Sequence, residues 1–339
     1  MGGTLVIQTA FIGDVVLATA LVESLHLVDP KEPIDVLVRK GNEGLFRSHP
    51  FVRKVWVWDK QNKKYAHALG LVKSFRQNHY RAVINVQRYG VSALMTVFSG
   101  AQITIGFKAH WLSHFFTQAI PHQIAADGTQ HEIERNLELL KALYPQKNLV
   151  LQKPRLYPDT AATTAAAPFQ QEPYCCVAPG SVWFTKTLPL AQWADLINAL
   201  PETFKVYVLG GPSDKALGEA LLKLIQRKGV ENLAGRLDFL GAAALQQGAT
   251  MNYVNDSAPM HFCSAVNAPV TAVYCSTVPG FGYGPLSTIS HVVSTPLVLS
   301  CRPCGNHGKK ACPENHFQCA KTIRNADLLA VLPPSANTP

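Results

Sequence analysis

The sequence predicts an α/β protein built from two doubly wound halves, each a parallel sheet with crossover helices. Three observations carry that expectation. Short β-branched runs alternate with longer helical patterns; the composition breaks once, at residues 158–173; and the same alternation restarts afterwards. At 339 residues and 47% hydrophobic, the chain is long enough for two cores.

In the first half, β-branched runs predict strands at Thr4–Gln8, Ile34–Val38, Val55–Trp58, Ala82–Val86 and Ile103–Gly106, with helices between most of them. A helix over Asp14–Leu27 stops before Asp29-Pro30, because proline disfavours the α conformation of the residue before it. Another, His131–Leu143, ends before Pro145. Residues 158–173 are small, polar and bounded by prolines, and read as a linker or a poorly packed helix. Beyond them strands are expected at Tyr174–Ala178, Lys205–Leu209, Met251–Val254 and Val270–Cys275, with helices at Leu190–Leu200, Asp214–Arg227, Leu240–Gln247 and Ala258–Val266. The expected organisation is an N-terminal domain over 1–157, a linker over 158–173, and a C-terminal domain over 174–339 that carries a cysteine-rich segment at 301–319.

Several classes are disfavoured by composition. No apolar stretch approaches the roughly 20 residues that span a bilayer, and the N-terminus lacks the basic start and cleavage site of a secretory signal, so a cytoplasmic protein is expected. Eight cysteines without an export signal favour thiols or metal ligands over a disulfide framework. The net charge of +9 is concentrated: residues 31–88 hold 13 Lys/Arg against 4 Asp/Glu. Such a field attracts anions, whether nucleic acid, a phospholipid surface or a phosphorylated glycolipid, although a basic run is also often only a solvated face. No nucleic-acid-binding motif is visible, so no nucleic-acid partner is expected.

Ligands of open parallel sheets sit beyond the carboxyl ends of the strands, which directs attention to the loops there. After the first strand, Thr9-Ala10-Phe11-Ile12-Gly13-Asp14 holds a single glycine and matches neither the dinucleotide fingerprint nor a P-loop. Asp14 is either an N-cap or first-turn carboxylate favoured by the helix dipole, or a base able to take a proton from an attacking hydroxyl. The second half opens with Val177-Ala-Pro-Gly-Ser-Val-Trp-Phe-Thr-Lys-Thr-Leu-Pro189, where hydroxyls, amides and Lys186 suit a departing diphosphate as well as an ordinary surface turn. Asn255-Asp256-Ser257 leads through Pro259 to His261 at a helix start, where free amides suit a phosphate. A carboxylate beside phosphates needs a hydroxyl or a cation of its own, so Asp256 also suits a place facing the donor's sugar. A plain capped helix with His261 packed in its core has the same sequence.

On these residues the chain resembles glycosyltransferase family 9, the ADP-heptose:lipopolysaccharide heptosyltransferases, over nearly its whole length, and most closely the heptosyltransferase II-like branch. The carriers are Ile12-Gly13-Asp14, Pro179-Gly180-Ser181 through Lys186, Gly210-Gly211-Pro212-Ser213-Asp214, Asn255-Asp256-Ser257 through His261, and the C-terminal cysteines. The resemblance implies a GT-B fold of two Rossmann-like domains facing a cleft, and inverting transfer of heptose from ADP-heptose to the lipopolysaccharide inner core without an obligatory catalytic metal. It implies Asp14 as base, with Gly13 beside it on the acceptor side. It also implies Lys186, Thr185 and Ser181 at the donor phosphates, Asp214 at the ribose, and Asp256, Ser257 and His261 at the donor. Ala258-Pro259 departs from the Gly-Leu of relatives and removes one amide donor. The implied partners are a nucleotide-sugar, an anionic glycolipid acceptor and the inner face of the membrane. Two other readings stay open: a GT-B enzyme or epimerase using a UDP- or GDP-sugar, and a non-catalytic polyanion-binding protein.

Cys301, Cys304, Cys312 and Cys319 follow a C-x2-C-x7-C-x6-C spacing. Four thiolates suit a structural zinc or iron ion, with His307 and His316 as alternative ligands, and the same cysteines also suit small packing positions.

Overall fold

The computed structural model of the protein describes residues 2–124, 128 and 130–332. The described residues form two compact units, residues 2–124 with 130–157, and residues 158–332 with 128.

The first unit holds β1 (Thr4–Ile7), β2 (Ile34–Arg39), β3 (Val52–Trp58), β4 (Ala82–Asn85), β5 (Ile103–Phe107) and β6 (Gln118–Ile120) in one sheet of order β3-β2-β1-β4-β5-β6. Every pairing is parallel. Its helices are α1 (Ile12–Val28), α2 (Lys64–Asn78), α3 (Gly90–Val97) and α4 (Glu132–Leu143). Strand order reverses between β1 and β4, which opens a crevice at their carboxyl ends.

Helix α1 is buried without interruption from Val15 to Leu25, as a helix apolar on all sides must be. Its polar members are satisfied internally. Thr19 donates to Val16 O at 2.6 Å and accepts from the Arg155 amide at 2.8 Å; Glu23 accepts from Tyr157 Oη at 2.8 Å. Those last two bonds fasten residues 155–157 back onto α1. Asp35 interrupts the apolar run of β2 as a fully buried carboxylate, held by both Arg53 nitrogens at 2.8 and 2.9 Å and by the Tyr80 hydroxyl. Buried charge is tolerated only when paired and hydrogen-bonded in this way.

The second unit repeats the plan. Strands β7 (Tyr174–Ala178), β8 (Lys205–Val208), β9 (Val230–Asn232), β10 (Met251–Asn255), β11 (Val270–Tyr274) and β12 (Ser290–Ser294) form a sheet of order β12-β11-β10-β7-β8-β9, again parallel throughout. Helices α5 (Thr160–Ala166), α6 (Leu190–Ala199), α7 (Lys215–Leu222), α8 (Phe239–Gly248) and α9 (Ala258–Val266) cover it, and α10 (Gln318–Lys321) and α11 (Asn325–Leu329) follow. Its reversal lies between β7 and β10. Trp193, Leu196 and Ile197 of α6 meet Phe317, Cys319, Ile323 and Leu328, so the C-terminal segment closes this core.

Three short strands escape the sequence pattern: β6 and β9 have only three residues each, and β12, at Ser290–Ser294, buries only Val293 fully. The helix expected over Asp214–Arg227 is shorter, α7 preceded by a 3-10 turn at Pro212–Asp214. Residues 158–173 contain α5, capped by Asp159 through the Ala162 amide at 2.8 Å, with Ala162 and Ala166 buried. Gln170 then bonds Ala244 O at 3.2 Å, so this stretch is packed on the second unit.

Glu132, at the start of α4, is buried and accepts from His122 Nε2 at 3.2 Å and Arg135 Nε at 2.8 Å. Burial by itself raises its pKa, but the His122 hydrogen bond and the charges of His122 and Arg135 outweigh it and hold the carboxyl below the ordinary range. A carboxylate depressed in the folded state stabilises above its unfolded pKa and loses that contribution as pH falls through the folded value. Stability in urea is therefore expected to fall once pH drops below the ordinary Glu value of 4.5. Glu132→Gln should flatten that fall and cost about 3 kcal/mol at pH 7, since it removes one charge from a buried, hydrogen-bonded pair.

Candidate functional site

Each reversal of strand order gathers candidate residues. In the first unit, β1 runs out at Ile7 and the loop Gln8–Phe11 turns into α1. Asp14 stands in the first turn of that helix, partly buried; Phe11 holds the N-cap position, so Asp14 is not the cap. Across the reversal, Gln8 Oε1 accepts from Gln87 Nε2 at 3.0 Å and from the Ala10 amide at 3.1 Å, while Asn85 Oδ1 accepts from the Gln87 amide at 3.0 Å. This polar lattice fixes the loop that carries Gly13 and Asp14.

Cations approach the same loop from β2 and β3. Lys60 Nζ donates to Thr9 O at 2.6 Å and lies over the Trp58 ring at 4.8 Å. Arg39 lies over the Phe11 ring at 5.0 Å. Burial first, then the charges of Arg39 and Lys64, bring Lys60 down to about 8. Burial likewise lowers Arg39, while the Asp14 carboxylate opposes that shift. The basic window from 31 to 88 thus delivers two of its cations to the Asp14 loop.

In the second unit the loop after β7 runs from Pro179 to Pro189, and the turn after β10 begins at Asp256. Asn255, buried at the end of β10, ties them together: its Nδ2 donates to Pro179 O at 2.7 Å and its Oδ1 accepts from the Leu188 amide at 3.1 Å. Lys186 Nζ then reaches Asp256 Oδ2 at 2.7 Å, and Thr277 Oγ1 donates to the same oxygen at 2.6 Å. The carboxylate has both of the partners it needs, a cation and a hydroxyl. Sequence reading places Lys186 and Asp256 in separate loops; the fold makes them one ion pair with little exposure, 15% and 7%.

The other expected donor residues surround this pair. Thr185 is buried, its hydroxyl accepting from Ser276 Oγ at 2.9 Å and from the Lys309 amide at 2.7 Å. Ser181 is half-buried and accepts weakly from the Trp183 amide at 3.4 Å. Asp214 Oδ2 accepts from the Gly211 amide at 2.8 Å. Its other oxygen lies against Gly180, where an added Cβ would stand 3.1 Å away, so the turn after β8 packs on the loop after β7. Ser257 holds the N-cap position of α9, but its hydroxyl donates back to Asn255 O at 3.3 Å instead of capping. His261 is buried on α9. Ser276 and Thr277 were not singled out by sequence, their only signal being that they follow a strand, and Asn255 entered only as the first residue of the Asn255-Asp256-Ser257 motif.

The cysteine-rich segment departs from expectation. Among the described residues no group of three or more His, Cys, Asp or Glu side chains is arranged to hold a metal ion. Cys319 is drawn into the apolar core of the second unit and Cys312 packs against it, while Cys304 donates to Cys301 O at 3.3 Å. Cys301 Sγ lies 3.8 Å from His316 Nε2. Burial and then the neighbouring thiols push Cys304 up, and Cys319 up to about 11.

Comparison with known proteins agrees with this geometry. Residues 68–316 match the sequence profile described as Glycosyltransferase family 9 (heptosyltransferase). Lipopolysaccharide heptosyltransferase 3 of Escherichia coli is 26% identical over 279 residues, 79% of this chain and 82% of that protein. A glycosyl transferase family 9 structure from Veillonella parvula DSM 2008 superposes with a TM-score of 0.85 at 18% identity, covering 97% of this chain and 96% of its own. The structure of the E. coli ADP-heptose lps heptosyltransferase II gives 0.76 at 20% identity, with 97% and 98% covered.

Asn255→Ala should cost about 2 kcal/mol in urea unfolding, because two buried main-chain groups lose their partner. Amide exchange at Leu188 should accelerate with it. Unchanged stability and exchange would show that other contacts hold the loop.

Proposed function

This chain belongs to glycosyltransferase family 9, and from that premise we propose that it transfers heptose from ADP-heptose to an anionic glycolipid, the inner core of lipopolysaccharide. It is a glycosyltransferase with the GT-B fold that the resemblance implied. The observation that carries the donor assignment is the Lys186–Asp256–Thr277 cluster at the β7/β10 reversal. A diphosphate arriving there meets an ammonium already in place and the amides at the start of α9.

In this reading Asp14 takes the proton of the acceptor hydroxyl as its oxygen attacks the anomeric carbon from the face opposite the diphosphate, with inversion. Lys186 offsets the charge that grows on the departing ADP. Ser181, Asp214, Asp256, Ser257 and His261 line the donor side, and Thr185 orders the loop. The cations Arg39 and Lys60 beside the Asp14 loop favour an acceptor that carries negative charge near its reacting hydroxyl.

Exposed groups on the first unit suit a membrane-bound acceptor. Tyr65 and Leu69 of α2 are 68% and 63% exposed, one turn apart, on a helix that also carries Lys64, Lys73 and Arg76. Trp111 and Phe115 add a second exposed aromatic pair. Apolar rings among cations are what a peripheral protein presents to anionic lipid. Among the described residues no helix is long and apolar enough to cross a membrane.

Two variants test the chemistry. Asp14→Asn should leave ADP affinity near wild type and lower turnover at least ~100-fold, the usual scale for loss of a general base. Lys186→Ala should weaken ADP binding and slow transfer together, because the charge it offsets is present before the transition state. Normal turnover in the first, with the fold intact, removes Asp14 from the mechanism; unchanged ADP affinity in the second removes Lys186 from the phosphates. A different preferred base in competition assays would reassign the donor to a UDP- or GDP-sugar.

Binding to phosphatidylglycerol vesicles should weaken as salt rises, since exposed charges are screened over about 8 Å near physiological ionic strength. Tyr65→Ser with Leu69→Ser should weaken it further at fixed salt. Salt-independent binding, or none, returns the basic face to solvent.

A further inference from the structure

The cysteine-rich segment has no part in the reaction as written, yet it is built onto both donor loops. The Lys309 amide donates to Thr185 Oγ1 at 2.7 Å, and the Thr185 amide donates to Lys309 O at 3.1 Å. Ser276, just after β11, closes the same knot. Its amide donates to Thr185 O at 3.2 Å and its carbonyl accepts from the Cys304 amide at 2.8 Å. Gly308 permits the approach. Its φ is +77°, and a Cβ there would stand 2.9 Å from Lys186 Cγ, 3.1 Å from Thr185 Oγ1 and 3.2 Å from Trp183 Cβ. Any other residue would be strained in backbone and would push Lys186 or the segment aside.

Arg302 is the second anchor. Its Nε donates to Cys275 O at 2.7 Å, and its Nη2 to Tyr274 O at 3.2 Å and Thr277 O at 2.9 Å. Where a strand ends, its carbonyls lose their ladder partners and must find others. A planar guanidinium can serve three of them at once, which a lysine cannot do in a fixed geometry. The turn so fixed presents the Thr277 hydroxyl to Asp256 Oδ2, the oxygen that also takes Lys186 Nζ.

We propose that Arg302, Thr277 and Gly308 are positioning residues for Lys186: the cysteine-rich segment clamps the Lys186 loop and the Thr277 turn, so that the ammonium stands ready before a diphosphate binds. The proposal rests on the donor reading of this site. A cation held in advance need not reorganise when charge develops on the leaving group, which is where such groups gain most of their effect.

A double-mutant cycle tests it in the full-length protein, with ADP affinity measured by calorimetry and stability of the ADP-free protein measured in urea. Thr277→Val and Arg302→Met should each weaken ADP about tenfold, while Thr277→Ser, which keeps the hydroxyl, should stay within about twofold of wild type. In a Lys186→Met background, Thr277→Val should add less than about twofold, because its effect passes through the missing ammonium. Stability of the ADP-free variants should be non-additive for the same pair, since both groups bond one oxygen. A hydroxyl that only supported the fold would weaken ADP equally in both backgrounds, and that result overturns the proposal. Failure of the wild type to bind ADP, with the stability coupling intact, overturns the donor reading and the proposal with it. Gly308→Ala, expected to weaken ADP without touching Asp256, checks the clamp independently of the hydroxyl.

Discussion

A carboxylate buried at the carboxyl end of a parallel strand must be given partners, and Asp256 organises the second unit around that need. Its Oδ2 holds Lys186 and Thr277 together. The first comes from the loop after β7 and the second from the turn after β11, with β10 between them in the sheet. Three loops far apart in sequence are thereby joined at one oxygen. Removing either partner would leave charge or polarity unmatched in a protected place, where its cost is several-fold greater than at a surface.

The sheet order makes this possible. In a parallel sheet the chain must cross over after each strand, and where the order reverses the two crossovers leave in opposite directions. The strands β1 and β4 in one unit, and β7 and β10 in the other, therefore end in crevices that no helix fills. The first crevice holds a carboxylate, Asp14, with Arg39 and Lys60 nearby. The second holds a cation, Lys186, near the start of α9. In the proposed reading the first set supplies a base for a hydroxyl and the second positive charge for a diphosphate.

The cysteine-rich segment contributes more than its cysteines. Spacing makes Cys301, Cys304, Cys312 and Cys319 a candidate ligand set; among them only Cys319 is buried, and the other three are partly exposed. Cys319 joins the core beside Phe317 and Ile323, where burial and then the other sulfurs push its thiol up. What the segment contributes is main-chain hydrogen bonding from Lys309 and Cys304, the close approach at Gly308 and the fork of Arg302.

Much of the architecture was legible in sequence because its signals are local. Apolar runs such as Tyr174–Ala178 and Val270–Tyr274 belong to strands buried on both faces, and the helix at Ala258–Val266 is marked by Ser257 before it and Pro259 within its first turn. The places of Asp14, Lys186 and Asp256 after strand ends were legible as well, since each follows a strand whose end can be read. Residues that work through distant partners left no such trace. Thr277, Asn255 and Arg302 are ordinary side chains in sequence, and Lys60 is one basic residue among 13 in its window. Their roles arise only when parallel pairing brings residues some 20 to 130 positions apart to one strand end, because hydrogen bonds and desolvation are settled by proximity in space, which local propensity does not encode.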